Sequence, residues 1–265
     1  MSEQEQQKWP AMRMYHEASN LGPRRMKAFV ETIVQYSGDF AAGKVPAAEK
    51  VYPTRPHVKL PPAPPGRGLS LQEALRVRRT RRQFSGDPTT LAEIAGLLRG
   101  ACGITGEISG SLPAGASAKL RAWPSAGGLY PIELYLLPLK CKELSASVYH
   151  HGVTEDSLVE LGAMPAQVDI EKMVFAEGLW RDASLLIVLT GVFERTAAKY
   201  ADRGYRFVHQ EAGHIMQNLL LMAEELQMNA VALGGFFEDE LARVLGLESG
   251  RESPIYAVIL GRMKG

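Results

Sequence analysis

Five arginines crowd into seven residues, Arg76-Val77-Arg78-Arg79-Thr80-Arg81-Arg82, in a chain of 265 residues whose formal net charge is only +1. General basicity does not account for them. A planar guanidinium donates two parallel hydrogen bonds, and beside a hydroxyl it suits a phosphate. The plainer alternative is a solvated helix end, where the backbone dipole favours cations. Arg262 follows Gly261 near the C-terminus and is either a further solvated charge or the closing side of the same anion site.

Two double glycines offer a second kind of chemistry. They lie in Pro124-Ser125-Ala126-Gly127-Gly128-Leu129-Tyr130-Pro131 and Ala232-Leu233-Gly234-Gly235-Phe236-Phe237. Each permits backbone paths closed to other residues and a close approach to a flat ligand. N–H groups exposed at such turns donate to a ring nitrogen or an oxyanion. Out of context, both are ordinary turns. A third segment mixes charge with aromatics, Lys199-Tyr200-Ala201-Asp202-Arg203-Gly204-Tyr205-Arg206, and leads into Glu211-Ala212-Gly213-His214. Its plain reading is a polar loop with Tyr205 packed as a staple. His150, His209 and His214 lack metal-ligand spacing, so no metal site is expected. No serine or cysteine occupies a nucleophile elbow, so covalent hydrolase chemistry has no support.

These residues need elements to hold them. Ser70-Leu-Gln-Glu73 and Thr90-Leu-Ala-Glu93 are capping boxes, the first opening a helix that runs into the arginine cluster and the second a helix through Arg99. Strands are expected over 133–139, 147–150, 184–192, 230–233 and 254–261. The longest helix is expected from Tyr205 or Phe207 to Gln227, burying Ala212, Ile215, Leu219, Leu220, Ala223 and Leu226. Met216, Leu221 and Met222 add apolar surface beyond one stripe, which argues for burial against a second copy. Residues 103–122 are rich in glycine, serine and alanine and read as a loop.

Helices from Trp9 to Ser19 and Pro23 to Tyr36 belong to an extension over 1–52, and the prolines of 53–69 to a linker or strap. Residues 70–265 form the main domain. Its mixed order favours α+β over a doubly wound sheet, and no GxGxxG follows a strand. Composition, with 46% hydrophobic and 22% charged residues, is that of an ordinary globular protein. The near-zero charge argues against nucleic-acid binding. No apolar run approaches the ~18 residues of a membrane span. Two cysteines and a polar, acidic N-terminus point to the cytoplasm.

Taken in order, the arginine cluster, Pro124–Pro131, Glu211–His214 through Gln217-Asn218-Leu219, Gly234-Gly235 and Gly261-Arg262 resemble the SagB/ThcOx-type branch of the flavin-dependent nitroreductase superfamily. The resemblance covers roughly 70–265, and Tyr15-His16-Glu17-Ala18-Ser19 is similar to that branch's helical lead-in. It implies a nitroreductase-like α+β fold, with a mixed, mostly antiparallel sheet flanked by helices, in a domain-entwined homodimer that binds FMN at the subunit interface. Arg78, Arg82 and Arg262 would hold the phosphate, Arg79 and Thr80 would lie near the ribityl chain or ring, and Arg81 would face solvent. Ser125, with Gly127 beside it, would approach the pyrimidine edge, and Gly234 or Gly235 would donate an N–H toward N5. Lys199-Tyr200 looks like the Lys-Tyr motif of azoline dehydrogenases, which oxidise thiazolines and oxazolines in ribosomally made peptides. Tyr200 would then be the base, with the Lys199 ammonium favouring its phenolate. A peptide substrate and a cyclodehydratase complex are the implied partners. An NAD(P)H-dependent nitro- or quinone reductase, or a non-catalytic flavin-binding scaffold, are the alternatives.

Overall fold

Runs in which nearly every residue is apolar need cover on both faces. In the computed structural model, which describes residues 10–109 and 117–264, three such runs make the centre of the sheet. The elements, in order, are α1 (Pro10–Ala18), α2 (Pro23–Ala41), β1 (His57–Lys59), α3 (Leu71–Val77), α4 (Leu91–Cys102), β2 (Ile104–Ile108), β3 (Ala118–Arg121), β4 (Ile132–Pro138), β5 (Ser147–Gly152) and β6 (Ser157–Ala163). There follow α5 (Gln167–Met173), β7 (Leu185–Val192), α6 (Phe193–Tyr200), α7 (Arg203–Glu225), β8 (Met228–Leu233), α8 (Glu238–Leu245) and β9 (Glu252–Arg262). The main sheet has the order β1-β6-β5-β4-β7-β9-β8, and β2 and β3 form a separate hairpin. Each neighbouring pair in the sheet is antiparallel.

Side chains alternate across a strand, so β7 serves two cores. Leu185, Ile187 and Leu189 face a layer built from Ile94, Leu97 and Leu98 of α4 and Ile215 and Leu219 of α7. Leu186 and Val188 face Ile170 of α5 and Leu241 and Leu245 of α8. The fold is therefore α+β, as expected, with helices on both faces of an antiparallel sheet.

Local details follow the sequence, with some departures. Thr90 and Glu93 form a reciprocal capping box at α4, whereas at α3 only Ser70 accepts the Glu73 N–H. The expected loop over 103–122 contains the β2–β3 hairpin; its residues 110–116 lie outside the described residues, as does Trp9. The proline strap is pinned at both ends. Arg99 binds the Leu60 and Pro61 carbonyls and Asp156, and Glu225 accepts the N–H groups of Gly68 at 2.7 Å and Leu69 at 2.9 Å. Met216 is buried in the core, and Met222 packs against it and the α4 backbone at Gly100. Much of the surplus apolar surface on α7 is thus used within one chain. No helix among the described residues is long and apolar enough to cross a membrane.

Candidate active site

The Pro124–Pro131 segment is a strained turn held from below. Gly127 and Gly128 have φ of 66° and 67°, in the left-handed region that favours glycine, and Tyr130 shares it at 46°. The Ser125 hydroxyl oxygen accepts the Tyr130 N–H at 2.8 Å. Arg195 of α6 donates to the Tyr130 carbonyl at 2.9 Å and forms a buried ion pair with Glu133 at 2.5 Å. His150 meets the other Glu133 oxygen at 2.8 Å. Burial alone would raise the Glu133 carboxyl, but His150 and Arg195 hold it down at about 2. A buried network of this kind, in which both Glu133 oxygens are paired, fixes one backbone path for the turn.

Lys199 and Tyr200 converge on that turn. They end α6 rather than lying in a loop, and a Cβ built on Gly127 would stand 2.7 Å from the Tyr200 hydroxyl and 2.8 Å from Lys199 Nζ. The absent Cβ is what lets both groups reach the backbone. One N-terminal helix, α2, covers the pair. Phe29 stacks on Tyr200 with ring centroids 6.2 Å apart, and Lys199 Nζ lies 5.3 Å from the Tyr36 ring centroid. Arg206 ties α1 to α7 through Ser19 and the His16 carbonyl. Burial raises the Tyr200 phenol above its ordinary value, so the neutral phenol is its resting form here. The expected lowering by Lys199 does not prevail, because α2 and Phe207 take the ring out of water.

Beneath the turn lies Glu211, 2% exposed. Its Oε1 accepts the Trp123 indole N–H at 2.7 Å, and burial raises the carboxyl to about 7. The sequence shows this residue within a motif, but nothing in its spacing marks it as titrating near neutrality. Nor does it reveal that α2 would reach Lys199.

The arginine cluster divides. Arg79 donates to the Arg76 and Arg78 carbonyls, folding back on the end of α3. Arg81, expected to face solvent, instead pairs with Glu224 at 2.5 Å, because that acid is buried on α7 and needs a cation. Arg78, half-buried, and Arg82, exposed, have no acidic partner among the described residues, and Thr80 is exposed beside them. Arg262 pairs with Glu93 at 3.2 Å in a cavity of about 490 Å³, also lined by Asp87 and Gln227. It stands opposite Met228, whereas Gly234 follows the other end of β8, about 20 Å away at the rise of a strand. Nothing lies within 4 Å of where a Gly234 Cβ would stand, and Gly235 is packed against Phe175. The structure thus joins Ser125 and Gly127 with Lys199 and Tyr200, and leaves Gly234 as an open backbone edge. Among the described residues, no cluster of three or more metal-ligating side chains occurs.

An antiparallel sheet with helices on both faces is a fold that this chain shares with one family of proteins. The Nitroreductase family profile matches residues 75–262, and the chain belongs to that family. It is 30% identical over 199 residues to MJ1384 of Methanocaldococcus jannaschii, named as a nitroreductase, covering 73% of this chain and 91% of that one. It is 26% identical over 147 residues to the microcin B17-processing protein McbC of Escherichia coli, covering 53% and 54%. Among solved structures, a nitroreductase-type protein of Anabaena variabilis superposes with a TM-score of 0.71 at 23% identity, over 94% of this chain and 45% of that one. The E. coli microcin synthetase McbBCD complex with truncated pro-MccB17 bound gives 0.58 at 20%, over 93% and 99%. These two structural likenesses speak to the fold.

Proposed function

We propose that this protein is an FMN-dependent dehydrogenase that oxidises thiazoline or oxazoline rings in a ribosomally made peptide to thiazoles or oxazoles. The observation that carries the reading is the convergence of Lys199 and Tyr200 on Gly127, which gives the Lys-Tyr pair one common target. Likeness to a protein named for microcin B17 processing supports a peptide substrate.

The residues present suit the cofactor. Arg78 and Arg82, without acidic partners, would hold its phosphate with Thr80 between them, and Arg79 would lie near the ribityl chain. Arg262 would join the phosphate by exchanging Glu93 for it. Nothing lies within 4 Å of where a Gly128 Cβ would stand, which leaves room beside the turn for a flat ring; Ser125 would present its hydroxyl to the pyrimidine edge, and Gly234 or Gly235 would offer an N–H toward N5. When bound, the flavin supplies the hydride acceptor. The chain supplies the proton acceptor. Tyr200 oxygen takes the proton from the ring carbon next to the peptide carbonyl, and Lys199 offsets the phenolate charge. The active unit is a homodimer, and a cyclodehydratase that makes the ring is its functional partner.

The 30% identity to a nitroreductase-named relative favours one other reading, an NAD(P)H-dependent reductase. Anaerobic mixing separates the two. An azoline peptide should bleach the bound flavin faster than NADH or NADPH does; rapid bleaching by a nicotinamide alone, with none by the peptide, would select the reductase.

A further inference from the structure

A buried carboxyl behind the turn has work that the proposed chemistry does not use. Glu211 is 2% exposed, and only one of its oxygens is satisfied. Oε1 accepts from the Trp123 indole, which can only donate, while Oε2 is buried and meets no donor. The Ser125 hydroxyl lies beside this carboxyl without closing a hydrogen bond of normal geometry to Oε2. Ser125 oxygen accepts the Tyr130 N–H at 2.8 Å, and its own proton is uncommitted among the described residues. A carboxylate with a bare buried oxygen is costly, and a neutral acid turns that oxygen into a donor.

We propose that Glu211 is a positioning residue that sets the direction of the Ser125 hydroxyl. As the neutral acid it donates to Ser125 oxygen and leaves the serine proton free for an acceptor on a ligand at the turn. As the carboxylate it draws that proton to itself, and the ligand loses the bond. The charged groups that bear on Glu211 are Arg121 from β3 and Arg195 from α6, and both favour the anion. Burial outweighs them and the Ser125 and Trp123 contacts, raising the carboxyl to about 7, so the two states are nearly balanced at neutral pH. Ligand affinity at the turn therefore falls as pH rises through neutrality. This rests on the proposed flavin site but not on azoline chemistry.

Two measurements on the full chain test it, neither involving peptide. In flavin-free protein, ionisation of Glu211 changes the hydrogen bond to the Trp123 indole, so tryptophan fluorescence should show an inflection near neutral pH. That inflection should vanish in Glu211→Gln, which keeps the side-chain size and the acceptor for Trp123. The second measurement is binding of riboflavin, chosen because it lacks the phosphate, whose ionisation near about pH 6 would intrude. Wild-type affinity should be about 3- to 10-fold weaker at about pH 8.5 than at about pH 6, the worth of one hydrogen bond. Glu211→Gln and Ser125→Ala should each bind with no such dependence, and Ser125→Ala should keep the fluorescence inflection. An inflection that is missing from the wild type or unchanged in Glu211→Gln would overturn the titration. Wild-type riboflavin affinity that is flat with pH, or pH-dependent affinity retained in Glu211→Gln, would overturn the coupling. A wild type that keeps the inflection but binds no riboflavin at any pH would overturn it by removing the flavin site itself.

Discussion

Lys199 of α6 holds its ammonium 5.3 Å from the ring centroid of Tyr36, so a helix outside the matched family region touches the candidate catalytic lysine. Tyr36 is 8% exposed, and Phe29 on the same face of α2 stacks on Tyr200. An extension that merely decorated the domain would have no reason to meet both members of the pair. Tyr36→Leu keeps an apolar side chain there but removes the ring face. Azoline turnover should fall about 3- to 5-fold, the scale of a partly desolvated cation–π contact, with FMN retained. Steady-state kcat on a saturating peptide checks this.

Gly127→Ala should be disproportionately harmful. The new Cβ would press on the Tyr200 hydroxyl and Lys199 Nζ, at a residue whose φ is +66°. Backbone strain should lower stability by about 1–2 kcal/mol. Turnover should fall by more than that loss explains, because the Tyr200 hydroxyl cannot stay in place. Thermal melting and peptide kinetics on the same preparation separate the two effects.

For the phosphate, Arg82→Ala and Arg78→Ala should each weaken FMN by about 1.5–3 kcal/mol, the range of a charge-assisted hydrogen bond. Riboflavin, lacking the phosphate, should bind both variants as it binds the wild type. Arg99 is unsuited as a neutral control, since it anchors the strap through Asp156, Leu60 and Pro61. Arg55, exposed on the strap, serves instead. Fluorescence titration with both flavins reads the difference.

Acid stability should report Glu133. Its carboxyl is held at about 2 against 4.5 when unperturbed, so the stability it contributes is full above about 4.5 and is lost as pH falls toward 2. Glu133→Gln should flatten that part of the acid-unfolding profile and lower stability at neutral pH, since Arg195 loses its buried counter-charge. Circular dichroism against pH, for both proteins, tests this.

Sequence reading reached the central strands and the long helix because their apolar residues run or recur at one period. β4, β7 and β9 appear within one or two residues of their expected limits. It missed β1, an edge strand of three residues specified by distant pairing, as His57 with Val159; the short β2–β3 hairpin; and β6, whose outer half is only partly buried and lacks a continuous apolar run. It also missed α8, although Glu238, Asp239 and Glu240 in its first turn and left-handed Gly246 after its end are readable signals. At the site, Lys199, Tyr200, Ser125 and the glycines were legible as motifs. Their convergence was not, because it depends on a turn shaped by Arg195 and Glu133, 62 residues apart. The pairing of Arg81 with the buried Glu224, and the raised Tyr200 phenol, arise only when α3, α7 and α2 are brought together.

The most direct test is mass spectrometry of an azoline-bearing peptide, which loses about two mass units for each ring oxidised as one hydride and one proton depart. FMN-loaded wild type should produce that loss, and its rate should climb into the alkaline range, since the buried Tyr200 phenol must ionise to act as base. Tyr200→Phe, with FMN content unchanged, should be slower by about 10²–10⁴, the usual worth of a general base, and adding Lys199→Ala to it should cost little more. Oxidation by Tyr200→Phe at the wild-type rate with FMN in place would contradict the account.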